Sequence, residues 1–211
     1  MDFPDFFDEA PSVTLHDPLA AFLGASKSGV ITYNYTDAVK LAGHSCPTVA
    51  GAYLMVSKGL ASLYGEELPE RGGIEVHMHD AREQGTTGVI AAIATLLTGA
   101  APETGFGGIG GNRLFSRRNL LRFDAPIDGV LALRRRDTGR GVVLDLDIAS
   151  IPANPEMGTL FARIMAGEAG ENEQARFGML WQDHVARMLR GHADDPGIVR
   201  IRPWQAAPLP A

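Results

Sequence analysis

The sequence predicts an α+β protein in which a mixed or antiparallel sheet packs against several helices. Apolar residues recur at three- and four-residue steps after Pro47, which is typical of an amphipathic helix. Apolar and polar residues alternate strictly in "GGIEVHMHD", residues 72–80, as they do in a half-buried strand. Helical and strand-like segments also follow one another without the regular alternation of a parallel βαβ fold.

The chain divides into an arm, a domain and a tail. Residues 1–15 form an acidic N-terminal arm that carries three phenylalanines, one α+β domain spans 16–204, and 205–211 form a disordered tail. Asp17 and Pro18 begin a short helix, because aspartate caps a helix N-terminus and proline fits its first position.

The remaining elements follow from similar local signals. A glycine-rich loop at 105–119 precedes two strands, which are joined by the turn residues "TGRG" at 138–141. Further helices are predicted at 86–99, 156–166 and 171–190, and a last strand at 197–204.

Composition and charge narrow the classes of function. A formal net charge of -6 gives no electrostatic case for binding nucleic acid or an anionic membrane surface. No apolar run approaches the length of about 18 residues that spans a bilayer, and the acidic N-terminus is unlike a secretory signal. One cysteine cannot form an internal disulfide. We therefore expect a cytoplasmic protein that binds neither nucleic acid nor membrane.

The single cysteine, Cys46, lies in "GHSCP", directly before the helix that starts at Pro47. The first N–H groups of a helix have no internal partner, and its macrodipole favours negative charge, so a thiol there is stabilised as thiolate. His44 can reach the same point from two residues earlier. A thiolate beside an imidazole predicts a metal site or a reactive thiol. The structural alternative is a cysteine that only packs as a small apolar residue.

Two histidines on the alternating strand extend this set. His77 and His79 are two residues apart, so both imidazoles lie on one face of the strand at a spacing that can bind one metal ion. With His44 and Cys46 they give one sulfur and three nitrogen donors, which suit Zn²⁺ or another borderline-soft divalent ion. The alternative is that they belong to a solvated or interface face of the strand.

The glycine-rich loop contains a G-x-G-x-x-G pattern at 105–110, but a predicted helix precedes it where a dinucleotide site needs a strand. Arg117 and Arg118 follow the pattern. A guanidinium group matches carboxylate and phosphate oxygens, so these two arginines are candidates for binding an anionic small-molecule substrate. A solvated basic patch is the alternative.

The motif "GHSCP", the apolar helix "TTGVIAAIATLLTG", the glycine-rich loop and "FGMLWQDHVARML" together resemble the FmdE-like family of formylmethanofuran dehydrogenase subunits over roughly residues 28–190. The resemblance implies an α+β domain that dimerises and a metal-containing site to which His44 and Cys46 contribute. The chain departs from the family in lacking a cysteine before the apolar helix and a C-terminal zinc module. The missing cysteine makes His77 and His79 candidate replacements.

The sequence thus predicts a metal-binding FmdE-like homodimer, with a zinc-like ion held by His44, Cys46, His77 and His79. Both a catalytic and an accessory role fit this pattern; a catalytic metal would activate water or polarise a small carbonyl compound. Two alternatives stay open. One is an accessory component of a redox complex that holds haem, and the other is a metal-free thiol enzyme or redox sensor in which His44 tunes Cys46.

Overall fold

A computed structural model describes residues 3–191, 193 and 195–205 and confirms the predicted α+β class. The described residues form six α-helices, a five-stranded mixed sheet and a separate two-stranded sheet. Among these residues, every helix is too short or too polar to span a bilayer. The tail predicted at 205–211 lies outside the described residues from position 206 onward.

The predicted helices and strands are present, with some differences in their ends. The helices are α1 (Pro18–Phe22), α2 (Tyr35–Ala42), α3 (Pro47–Tyr64), α4 (Thr87–Thr98), α5 (Glu156–Met165) and α6 (Glu171–Ala186). The strands are β1 (Val13–His16), β2 (Val30–Tyr33), β3 (Ile74–Met78), β4 (Leu121–Arg122), β5 (Leu131–Arg135), β6 (Gly141–Leu146) and β7 (Val199–Trp204). The helix predicted to reach residue 190 ends as an α-helix at Ala186 and continues as a π-helical turn.

The larger sheet has the strand order β4-β3-β5-β6-β7. The β3–β4 pair is parallel and the other three pairs are antiparallel, which makes the sheet mixed. The predicted hairpin is β5–β6. Because β3 is flanked by β4 and β5, all five of its residues are buried.

The two faces of this sheet have different neighbours. On one face α3 packs so closely that a Cβ at Gly59 would lie 2.7 Å from Cδ1 of Leu133. The β3 side chains Ile74, Val76 and Met78 belong to this main core. The opposite face carries a small separate cluster, Ala125, Ile127, Ala132 and Val143, with Trp204 packed against it. The alternation of β3 therefore sends Glu75 and His77 to the face opposite α3.

The segment predicted as an N-terminal arm packs on the domain. A 3-10 turn, Asp5–Glu9, buries Phe6 and Phe7. The ring of Phe7 meets that of Tyr35 edge-on, with centroids 5.0 Å apart. Residues Val13–His16 pair with β2, so backbone hydrogen bonds also tie the segment down.

Candidate functional site

Cys46 occupies the N-cap position of α3, as the sequence predicts. Gly43 ends α2 with a φ of 76°, and Pro47 follows Cys46 as the first helical residue of α3. The backbone N–H of Val49 donates a hydrogen bond to Sγ of Cys46 at 3.4 Å. The thiol therefore satisfies one of the free N–H groups of the first turn, and it retains 9% exposure at the margin of the core.

The connector between α2 and α3 is fixed by its middle residue, Ser45. The carbonyl oxygen of Ser45 accepts hydrogen bonds from Nε1 of Trp181 at 3.0 Å and from Nε2 of Gln182 at 3.1 Å. Its hydroxyl lies 3.0 Å from the hydroxyl of Tyr35. Helices α2 and α6 therefore hold the segment that carries both predicted donors. Sequence reasoning misses the contribution of α6, because 136 residues separate Trp181 from Ser45.

His44 presents one ring nitrogen to solvent. Its side chain is exposed, and Nδ1 lies 3.0 Å from the carbonyl oxygen of Ala42. Because a carbonyl oxygen can only accept a hydrogen bond, Nδ1 carries the hydrogen and Nε2 of the neutral ring keeps its lone pair. A histidine held in this way is ready to bind a metal ion through Nε2.

His77 lies on the sheet face opposite α3, so the structure does not bring it to Cys46. It is buried, and Nε2 lies 3.5 Å from Oε2 of Glu75, which is long for a hydrogen bond. The ring meets Trp204 edge-on at 4.8 Å between centroids. Glu75 also pairs with Nη1 of Arg134 at 3.2 Å. The interaction with His77 and the charge of Arg134 outweigh burial and lower the pKa of Glu75.

His79 follows the end of β3 and has an exposed side chain. Nδ1 lies 2.7 Å from the carbonyl oxygen of Ile127, so Nε2 keeps its lone pair as in His44. The carboxylate of Asp80 is 3.8 Å from Nε2. His44 and His79 thus share the orientation that metal-binding histidines usually show.

The predicted donors do not form one cluster in the chain. In residues 3–191, 193 and 195–205, no group of three or more His, Cys, Asp or Glu side chains is arranged to hold a metal ion. His44 and Cys46 lie on one short connector, whereas His77 points to the other face of the sheet. Metal binding by any of the four predicted residues therefore stays a prediction, and so does the haem alternative.

An apolar cleft of about 180 Å³ lies beside the first turn of α3, between that turn, the start of α4 and the ends of β5 and β6. Its lining is apolar apart from the hydroxyls of Thr48 and Thr86. Gly51 faces Leu146, which a Cβ at position 51 would overlap, so the absence of a side chain there serves packing. A small-molecule ligand for this cleft stays a prediction.

Arg117, one of the two predicted substrate-binding residues, is 6% exposed and pairs with Asp17. Its Nη2 donates to Oδ1 of Asp17 at 2.6 Å, and Nη1 of Arg71 donates to Oδ2 at 3.0 Å. Burial favours the protonated form of Asp17, but the N–H of Ala20 and the two guanidinium charges lower its pKa below the usual value. One carboxylate therefore serves two arginines and also caps α1.

Arg117 and Cys46 lie at opposite ends of α3. The side chain of Arg117 packs against Gly72, just before β3, at the end of the sheet where Arg135 donates to the carbonyl of Leu63. Leu63 belongs to the last turn of α3, whose 18 residues span about 27 Å. Arg117 is therefore not part of a site at Cys46.

Arg118, the second predicted substrate-binding residue, is exposed, and its Nε donates to the carbonyl of Gly105 at 3.3 Å. It stabilises the glycine-rich loop through this bond. Substrate binding by Arg117 or Arg118 stays a prediction.

Comparisons with known proteins give one structural likeness. No protein-family model matches the chain, and no curated protein matches it. Among solved structures, the chain is similar to an FmdE-like protein of tungsten formylmethanofuran dehydrogenase from Syntrophus aciditrophicus, with 18% identity over 83% of this chain and 74% of that chain, at a TM-score of 0.43. That protein bears the family name suggested by "GHSCP", but a likeness at this level transfers neither ligand nor activity.

Proposed function

We propose that the protein binds one borderline-soft divalent metal ion, with zinc the first choice, between two copies of the chain. Each copy would contribute Nε2 of His44 and Sγ of Cys46. Two sulfur and two nitrogen donors make the tetrahedral set of many structural zinc sites. A closed, four-coordinate ion holds protein segments together, so its role would be to stabilise a homodimer.

The orientation of His44 is the observation that supports this proposal. Its Nδ1 is engaged by the carbonyl of Ala42 at 3.0 Å, so Nε2 is the nitrogen left for a metal. Cys46 supplies a sulfur that already accepts one hydrogen bond from the helix N-terminus. The hydrogen bonds from α6 to Ser45 keep the two donors on a fixed connector. The G-H-x-C-P motif that carries both also supports placing the chain in the FmdE-like family.

The second copy follows from the number of donors. The described residues gather no third His, Cys, Asp or Glu into a metal-holding group with these two. A twofold axis beside the connector would duplicate both donors, because a symmetric interface repeats every residue that it contains. Leu41, three residues before His44, is 51% exposed and would be covered by such an interface.

Metal content and particle mass, measured together, test the proposal. Protein purified without added metal should contain one ion per two chains and run as a dimer, and a strong chelator should convert it to monomer. Cys46→Ser should lose the ion but stay folded, because serine is a good N-cap residue that can still accept from the N–H of Val49. His44→Ala should also lose it.

His79→Ala is the matched control, since His79 is exposed and donates from Nδ1 to a carbonyl as His44 does. It should keep both metal and dimer. One ion per monomer that is lost in His79→Ala would contradict the shared site and place the donors in one chain. Equal metal in Cys46→Ser and the unmodified protein would remove Cys46 as a ligand.

A further inference from the structure

A cleft of about 420 Å³ lies beside Arg117, at the opposite end of α3 from Cys46, and is lined by four arginines. These are Arg71, Arg113, Arg117 and Arg136. Two carboxylates offset them: Glu70 in the lining, and buried Asp17, which pairs with Arg71 and Arg117. The cleft therefore carries an excess of two positive charges in a chain whose formal net charge is -6.

The buried part of this cluster is built around an incompletely bonded guanidinium. Nη1 of Arg117 is buried and has no hydrogen-bond partner among the described residues. It lies against Gly72, itself a lining residue, where a Cβ would come within 2.5 Å of it. Gly99 makes room on another side. Two glycines with positive φ therefore hold open the space for a cation whose charge Asp17 shares with Arg71.

The exposed part of the cluster comes from two arginines without an acidic partner. Within the described residues, neither Arg113 nor Arg136 forms an ion pair; Arg136 donates only to the carbonyl of Gly72, at 3.4 Å. Arg113 has a φ of 52°, and Phe115 has a φ of 60° and packs on Phe22 of α1. Left-handed conformations of residues other than glycine are sparsely populated and occur most often where a ligand is bound.

We infer that this cleft binds the phosphate group of a small molecule. Guanidinium groups donate paired N–H bonds to phosphate oxygens, and an excess of two positive charges matches a phosphate dianion. An anion would also balance the buried charge of Arg117, which Asp17 neutralises only in part. The cleft has room for more than a phosphate ion, and Leu114 and Phe115 in its lining offer apolar surface to the remainder of the molecule.

Calorimetric titration of the full chain with inorganic phosphate tests the inference. Chloride at the same ionic strength serves as the reference for general screening, and malonate as a dicarboxylate of equal charge. A chelator is present throughout, so that a metal ion at His44 and Cys46 cannot contribute to the signal. Failure of this cleft and failure of the metal site are then separate results.

Phosphate should bind to the unmodified protein, and Arg113→Gln and Arg136→Gln should each weaken binding about tenfold, as expected for one lost charged hydrogen bond. Both side chains are exposed, so the variants should fold. Arg140→Gln removes an exposed arginine outside the cleft and should change nothing. The same heat with chloride, or equal weakening in Arg140→Gln, would overturn the inference. Malonate binding as tightly as phosphate would overturn the assignment to phosphate.

Discussion

Replacing Gly99 with alanine should destabilise the protein more than the same change at Gly43. Both glycines end a helix in the left-handed conformation, with φ of 73° and 76°, and each donates its N–H to the carbonyl four residues earlier. They differ in what a Cβ would meet. Nothing lies within 4 Å at Gly43, whereas at Gly99 the Cβ would overlap Nη1 of Arg117. The difference between the two variants therefore isolates the contact with Arg117.

The expected magnitude follows from what Arg117 must lose. The left-handed conformation costs an alanine about 1–2 kcal/mol, and both variants incur this cost. Gly72 confines the guanidinium on another side, so it can leave the new Cβ only by giving up its 2.6 Å bond to Asp17. Breaking a buried ion pair costs about 3–5 kcal/mol. We expect an added loss of about 3 kcal/mol, the lower end of that range, because Asp17 keeps Arg71.

Urea unfolding followed by circular dichroism, with chelator present, measures this difference. The two variants should have equal m values and different midpoints, which shows that the folded state and not the unfolded ensemble has changed. Equal midpoints for Gly99→Ala and Gly43→Ala would refute the reasoning, because they would mean that Arg117 moves aside at no cost.

Two further changes probe the anchors of the two sites. Because the folded pKa of Asp17 is below its unfolded value of 3.8, the carboxylate stabilises the protein fully above that value, and this stability is lost as the pH falls through the folded pKa. Urea midpoints measured as a function of pH should therefore fall more steeply in acid for the unmodified protein than for Asp17→Asn, and parallel curves would contradict this. Trp181→Phe keeps an aromatic ring but removes the donor to Ser45. It should weaken zinc binding about tenfold in a competition titration, by loosening the connector, and unchanged affinity would show that α6 does not position the donors.

Local signals predict where the helices begin. Asp17 before Pro18 and Cys46 before Pro47 each mark a helix start, and the structure confirms both. Capping depends on atoms only two or three residues apart, so the sequence contains the information needed. The alternation of β3 is equally readable, and all five of its residues are buried in the sheet.

Long-range partners cannot be predicted in the same way. Asp17 is recognisable as a cap, but its bond to Arg117 crosses 100 residues of sequence. Alternation places Glu75 and His77 on one side of β3 without saying which side α3 covers, and the pairing of β3 with β5 decides that. The sequence groups His77 with Cys46 because it separates the two faces of a strand but does not assign their neighbours.

Anomalous diffraction from crystals of protein purified without added metal, recorded on both sides of the zinc absorption edge, tests the shared metal site most directly. The account predicts one peak on a twofold axis, bonded to Sγ of Cys46 and Nε2 of His44 from each of two chains. A peak bound within a single chain, or crystals in which the Cys46 sulfur has no anomalous neighbour, would contradict it.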